Sequence, residues 1–314
     1  MLKQIVIVEG LSHCGKTSVI NELKKKLDHK VLVLNTPNKN DLEEIEEYFI
    51  AKVDTLDPEK DRLKIDQVKY FLNDLKETKS RIGLHFHNIR ERCEKHNFPK
   101  QFTVEDYKRI NIGDTDVHCL ALFPNIDSIL TAKTLQLKTL VDMVNLFDQE
   151  VTIIVDRFIG STLIYSPLDI IHMANNPKDY DFQIATFGSE RDLLMGTLAR
   201  INTTHNLLKF FALTQAPIIP IFIECPVEER ARRAKEVKAN DESDKAFDQM
   251  SIELDKIMSR KYRDYLVFFA EDCACFNPDV HNFFVIPSTT VEDTTKDILG
   301  ILENKEYYRD VGIA

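Results

Sequence analysis

The sequence predicts an α/β fold of three layers, a parallel sheet with helices on both faces. Two observations predict it. Short apolar, β-branched runs recur along the chain, and longer segments of helical period separate them, the order that builds a parallel sheet from crossover units. The first of these runs leads through a glycine-bearing turn straight into a helix. The six cysteines are scattered, and the close pair Cys273-Ala274-Cys275 lacks zinc or redox spacing, so reduced, cytosolic thiols are the default.

Gln4 to Val8 is the first strand, since Ile5, Val6, Ile7 and Val8 are all β-branched and suit a strand buried on both faces. A helix is predicted from about Lys16 to Leu27. Val31 to Leu34 is a second buried strand, ended by Asn35-Thr36-Pro37-Asn38. From Asp41 to about Lys95 the chain is charge-rich and helical in period, broken near Pro58, and Phe98 to Asp116 reads as a long loop. Over Ile129 to Phe147, Leu130, Leu137, Val141 and Val144 share one face, which predicts a long helix. Val151 to Asp156 is an apolar strand with a carboxylate at its end. Ile218 to Ile223 is the next, and Pro226 then opens a basic helix through Lys238. A helix from Ala246 to about Ala270, a strand from Phe283 to Ile286 and a helix from Val291 to Leu302 complete the pattern.

Bulk properties exclude some classes. The net charge of −10 opposes a surface built to wrap nucleic acid, although a local basic cleft stays open. No apolar run reaches the ~18 residues that span a bilayer. Glu9 interrupts the apolar start and no cleavage-like site follows, so a signal peptide is not expected and the cytoplasm is the expected location.

Gly10-Leu11-Ser12-His13-Cys14-Gly15-Lys16-Thr17 matches G-x-x-x-x-G-K-[ST] in full, between a predicted strand and a predicted helix. The glycines let backbone N–H groups curl around phosphate oxygens, and the helix N-terminus adds positive potential. The fold class becomes that of a P-loop NTPase, with ATP and Mg2+ as the cofactors expected. Gly10, Ser12, His13, Cys14, Gly15, Lys16, Thr17 and Ser18 are the residues expected around the ATP phosphates. Lys16 is expected at the β- and γ-phosphates, and the Thr17 hydroxyl on magnesium. Asp156, at a strand end, is the second candidate for the metal; a helix N-cap would also account for it. Arg157 beside it offers a fork for a phosphate. Arg230, Arg232, Arg233, Lys235 and Lys238 form a basic cluster, readable as a solvated helix face or as a lid over about 230–245. In the lid reading Arg232 and Arg233 neutralise the transferring group. Phe123 and Phe158 are candidates for stacking on a base, whereas Tyr262, Tyr265, Phe268 and Phe269 read as core, and His85 and His87, at i, i+2 on a helix, point apart.

These pieces, in this order, resemble the thymidylate kinase family of nucleoside monophosphate kinases. The segments that carry the resemblance are Val8-Glu9-Gly10-Leu11 and Asp156-Arg157-Phe158 with Ser161 and Tyr165 at matching offsets. Thr36-Pro37-Asn38-Lys39, Glu224-Cys225-Pro226-Val227-Glu228-Glu229 and Ile286-Pro287-Ser288-Thr289-Thr290-Val291-Glu292 are similar to the family's acceptor loop, lid start and adenine border. The resemblance implies one P-loop kinase domain over 1–314 that phosphorylates a deoxynucleoside monophosphate, dTMP or a related pyrimidine nucleotide. It implies Lys39, Arg157, Ser161 and Tyr165 on the acceptor, small nucleotides as partners, no membrane, and a homodimer left open.

The chain departs from the family at several points. Ser12 stands where a P-loop acid contacts the acceptor sugar. Leu130 and Thr134 fall at the aromatic and arginine positions of the helix before the Asp-Arg strand, with Lys133 and Lys138 as nearby basic substitutes. Ser166 replaces a glutamine, and Asp57 to Asp116 and Pro167 to Thr214 read as insertions. Three other readings therefore stay open. They are a kinase acting on a modified base in DNA such as hydroxymethyluracil, a deoxynucleoside kinase with Glu9 as general base, and a non-catalytic nucleotide-binding switch.

Overall fold

Side-chain alternation along β1 (Leu2–Glu9) decides where the core lies. In this computed structural model, Ile5 and Ile7 face one side of the sheet and Val6 and Val8 the other, all of them buried. Each such side chain contributes about 1.5–3 kcal/mol by leaving water, so β1 is held from both faces. Around it lie β2 (Lys30–Asn35), β3 (Val151–Asp156), β4 (Ile218–Glu224) and β5 (Phe284–Pro287). The five strands form one sheet in the order β2-β3-β1-β4-β5, with parallel pairing at every contact. Together with the glycine loop after β1, this is the α/β P-loop NTPase fold. The structure describes residues 2–11, 13–35, 40–95, 129, 131–158, 161, 216–236, 259 and 284–303.

The helices followed over the described residues are α1 (Lys16–Lys26), α2 (Asn40–Val53), α3 (Arg62–Lys95), α4 (131–145), α5 (Val227–Glu236) and α6 (Val291–Glu303). On one face of the sheet Val19, Ile20 and Leu23 of α1 and Ile298, Ile301 and Leu302 of α6 pack on Val6, Val8, Val33, Ile154 and Ile221. On the other, Ile45 and Phe49 of α2, Val68, Leu72, Leu75 and Ile82 of α3, and Leu137, Leu140, Val141 and Val144 of α4 cover Ile5, Ile7, Leu32 and Ile153. The expected strands and helices of these segments are present within a few residues. The segment from Asp57, expected as an insertion, begins with the break near Pro58 and then supplies α3, part of whose length is built into the core. Asp57 makes the break: its Oδ1 accepts from the amides of Glu59 and Lys60, and its own amide donates to Asp61.

Thr290 and Asp293 form a reciprocal cap at the start of α6: the Asp293 amide donates to the Thr290 hydroxyl oxygen, and that hydroxyl donates to Asp293 Oδ2. A cap of this kind is worth about 1 kcal/mol, and it fixes the entry to α6, which carries Ser288 and Thr289 next to the glycine loop. No helix among the described residues is long and apolar enough to cross a membrane. The expected loop Phe98 to Asp116, the helix 246–270 except Ser259, and the stretch 167–214 lie outside the described residues.

Candidate active site

Strand register sets the position of the glycine loop. Val8 pairs with Asp156 on one side, and Glu9 pairs with Phe222 on the other, so the loop leaves β1 between the carboxyl ends of β3 and β4. That edge is where open α/β sheets bind ligands. Gly10 has φ 149°, and a Cβ there would lie 2.7 Å from the Ile223 carbonyl oxygen and 2.8 Å from Cys14 Sγ. Only glycine fits. His13, at φ 61°, and Gly15, at φ 92°, complete the curl, and Gly15 is the N-cap of α1. With no side-chain cap and no acid in its first turn among the described residues, α1 presents its leading amides to an anion.

Lys16 is 5% exposed, and its ammonium donates to the carbonyls of Gly10 and Leu11, each at 2.8 Å, with Cys14 Sγ at 3.4 Å. Its stem is thus fixed and its charge sits at the centre of the loop. Thr17 and Ser18 follow on the exposed side of the first turn.

The end of β3 is a knot of buried charge. Asp156 is 4% exposed. Arg157 holds φ 62°, a conformation that costs a non-glycine residue about 1–2 kcal/mol. Its amide donates to the Val8 carbonyl at 3.1 Å. Lys133, from α4 and only 3% exposed, donates to the carbonyls of Phe158 at 3.1 Å and Arg157 at 3.4 Å. Burial lowers the Lys133 ammonium to about 8; Glu9 and Asp156 act in the opposite sense, and Arg157 adds to the lowering. Glu9 accepts at Oε1 from the amides of Phe158 (3.0 Å) and Ser161 (3.4 Å) and at Oε2 from the Ser161 hydroxyl (2.6 Å).

On the β4 side, α5 divides its arginines by position. Arg230 is buried and donates through Nε to the Cys225 carbonyl at 3.0 Å. Arg233 donates to Glu229 at 2.8 Å, to Ser288 Oγ at 3.0 Å and to the Thr289 carbonyl at 3.2 Å. Ser288 in turn donates to the Cys14 carbonyl at 2.8 Å, and Arg233 Nη1 lies 3.3 Å from where a Cβ on Gly15 would stand. Arg233 is therefore a wall of the glycine loop. Arg232 is exposed and forms a two-bond ion pair with Glu229 at 2.7 and 2.8 Å. Hydrogen bonds from Arg232 and then Arg233 hold the Glu229 carboxyl down at about 2. Burial raises the Cys225 thiol.

The fold thus brings Gly10, His13, Cys14, Gly15, Lys16, Thr17, Ser18, Asp156, Arg157 and Arg233 to one edge of the sheet, with Ser161 tied into it through Glu9. Arg232, one residue from Arg233, spends its guanidinium on Glu229. Ser12, Lys39, Tyr165 and Phe123 lie outside the described residues. Phe158, expected as a stacking partner, is instead 2% exposed and packed in the core with α4, because its backbone is drawn inward by Glu9 and Lys133. The donor set fits magnesium. One buried carboxylate and one hydroxyl suit an ion that keeps waters and substrate phosphates as its other ligands, and no cluster of three His, Cys, Asp or Glu that would cage a metal occurs among the described residues. Gln136, one turn beyond Lys133, is fully buried, and neither amide atom makes a hydrogen bond among the described residues. The roles of Glu9 and Lys133 in the turn are not signalled by the sequence, where Glu9 reads as a base and Lys133 as a substitute for an arginine.

No family model and no curated protein matches the chain. Among solved structures, it is similar to the thymidylate kinase from Candida albicans, at 14% identity over 96% of this chain and 91% of that one, TM-score 0.44. It is also similar to the deoxyadenosine kinase from M. mycoides with bound dCTP, at 16% identity over 96% and 99%, TM-score 0.42. The same enzyme with bound dATP aligns at 13% identity over 96% and 100%, TM-score 0.44.

Proposed function

We propose that this chain is a phosphotransferase that moves the γ-phosphoryl group of ATP onto a deoxynucleoside monophosphate, dTMP or a related pyrimidine nucleotide. The observation that carries the reading is a juxtaposition. The glycine-cradled N-terminus of α1, with Lys16 buried in it, stands beside the β3-terminal pair Asp156 and Arg157, the arginine in a strained conformation. Strain of this kind in a non-glycine residue concentrates at working sites.

In the reaction an acceptor phosphate oxygen forms a bond to the γ-phosphorus, while the bond from that phosphorus to the β–γ bridging oxygen breaks and ADP leaves. Catalysis of this kind consists of positioning and charge neutralisation. The loop amides and Lys16 hold the donor phosphates, Arg157 with Lys39 and Tyr165 holds the acceptor, and Arg233 closes the donor side. Thr17 and Asp156 would hold magnesium, which neutralises phosphate charge when bound.

Glu9 bears on the choice of acceptor. A nucleoside hydroxyl needs a general base, and both oxygens of Glu9 are engaged by donors from 158 and 161. A phosphate acceptor is already an anion and needs none. The net charge of −10 counts against a DNA acceptor.

The test is ADP release with ATP and magnesium against deoxynucleoside monophosphates, the corresponding nucleosides, and DNA with and without hydroxymethylated pyrimidines. Turnover on a monophosphate is expected. Turnover on nucleoside or DNA alone would overturn the acceptor, and tight ATP binding with no turnover would leave a nucleotide-binding switch.

A further inference from the structure

All four backbone polar groups of Arg157 and Phe158 are engaged. The Arg157 amide goes to Val8 and the Phe158 amide to Glu9, and both carbonyls accept from Lys133. Glu9 also takes the amide and hydroxyl of Ser161, three residues on. The two side chains come from different elements, Glu9 from the end of β1 and Lys133 from α4, and they grip the turn from opposite polar groups. Lys133 directs its ammonium to these two carbonyls, at 3.1 and 3.4 Å, and its charge carries a burial penalty that a neutral side chain would not. A turn with one left-handed arginine keeps that conformation only when its surroundings over-determine it, and these contacts are the over-determination.

We propose that Lys133 and Glu9 are positioning residues for the phosphoryl transfer proposed above, locking the Arg157–Phe158 backbone so that Arg157 is presented to the acceptor phosphate. The inference rests on that reading for its consequence, but not for its geometry. Lys133→Met keeps the aliphatic stem and removes the donors, whereas Lys133→Arg keeps a charged donor.

Two measurements separate the possibilities. The first is steady-state kinetics with ATP and whichever monophosphate turns over, dTMP tried first. In Lys133→Met the acceptor KM should rise about tenfold or more, as for loss of charged hydrogen bonds, with the ATP KM within about twofold. Lys133→Arg should recover part of the loss, and Lys133→Met with Arg157→Ala should be no worse than Arg157→Ala alone, because Lys133 acts through Arg157. The second is amide hydrogen exchange on the full chain, which needs no substrate. Residues 157, 158 and 161 should exchange about tenfold faster in Lys133→Met while residues 19–23 of α1 stay as they were. Protection at 157–161 unchanged from wild type overturns the positioning role, as does an acceptor and ATP KM that rise together with a falling unfolding midpoint. If no monophosphate is turned over by the wild type, the proposed reaction fails, and the exchange comparison alone then decides the role of Lys133.

Discussion

Replacing Gly10 with alanine perturbs the glycine loop at a point where the backbone has little room. The added Cβ would lie 2.7 Å from the carbonyl oxygen of Ile223 and 2.8 Å from Cys14 Sγ, where ordinary contact begins at 3.4 Å. Ile223 belongs to β4, whose backbone is fixed by pairing with β1 and β5, so the overlap cannot be relieved by a side-chain rotation. Overpacking of this sort costs about 1–3 kcal/mol, and a φ of 149° adds about 1–3 kcal/mol for a residue with a Cβ. The sum, about 2–6 kcal/mol, is a large part of the stability of an ordinary domain. Urea unfolding followed by circular dichroism measures it, with binding of a fluorescent ATP analogue read in parallel. Two other glycines supply the opposite sign: Gly83 in α3 and Gly300 in α6 have nothing within 4 Å of an added methyl and sit inside helices. Alanine at either should stabilise by up to about 1 kcal/mol. A Gly10→Ala protein that unfolds at the wild-type urea concentration and binds the analogue normally would refute the loop geometry.

Lys16→Ala should abolish phosphoryl transfer and leave the fold in place, since among the described residues its ammonium bonds to the loop's own carbonyls and Cys14; unchanged turnover counts against the loop assignment. Arg233→Ala should weaken ATP use about tenfold or more, because three bonds tie it to Glu229, Ser288 and Thr289 at the loop wall. Arg232→Ala, which removes an exposed ion pair screened by solvent, should change kcat/KM by less than about threefold. Gln136→Leu should be neutral or stabilising by about 1–3 kcal/mol in thermal unfolding, because it removes a buried amide that makes no hydrogen bond among the described residues. A clear loss of stability there would mean that the amide is bonded after all.

The strands were legible because Ile5 to Val8, Val151 to Val155 and Ile218 to Ile223 are short, mostly apolar runs rich in β-branched residues, as suits a strand buried on both faces. The turn that carries Gly10, Gly15, Lys16 and Thr17 was legible because its two glycines stand at fixed spacing between an apolar run and a helical one. The role of α3 was hidden: Val68, Leu72, Leu75 and Ile82 make a narrow buried stripe on a helix otherwise covered in charge, and that charge dominates its composition. The difference between Arg232 and Arg233 was also out of reach. It depends on where α5 lies against Ser288, a contact across 55 residues of chain. Glu9 and Lys133 meet the same turn only because β1 and β3 pair with Val8 opposite Asp156 and α4 lies over that end. Register and helix docking are tertiary facts, and no local pattern encodes them.

The most direct test of the central claim is transfer of a radiolabelled γ-phosphate from ATP to dTMP and its sister monophosphates, wild type beside Lys16→Ala. The account expects labelled nucleoside diphosphate from the wild type and none from the variant. Label that stays in ATP with every monophosphate, or reaches product equally well in Lys16→Ala, would contradict it.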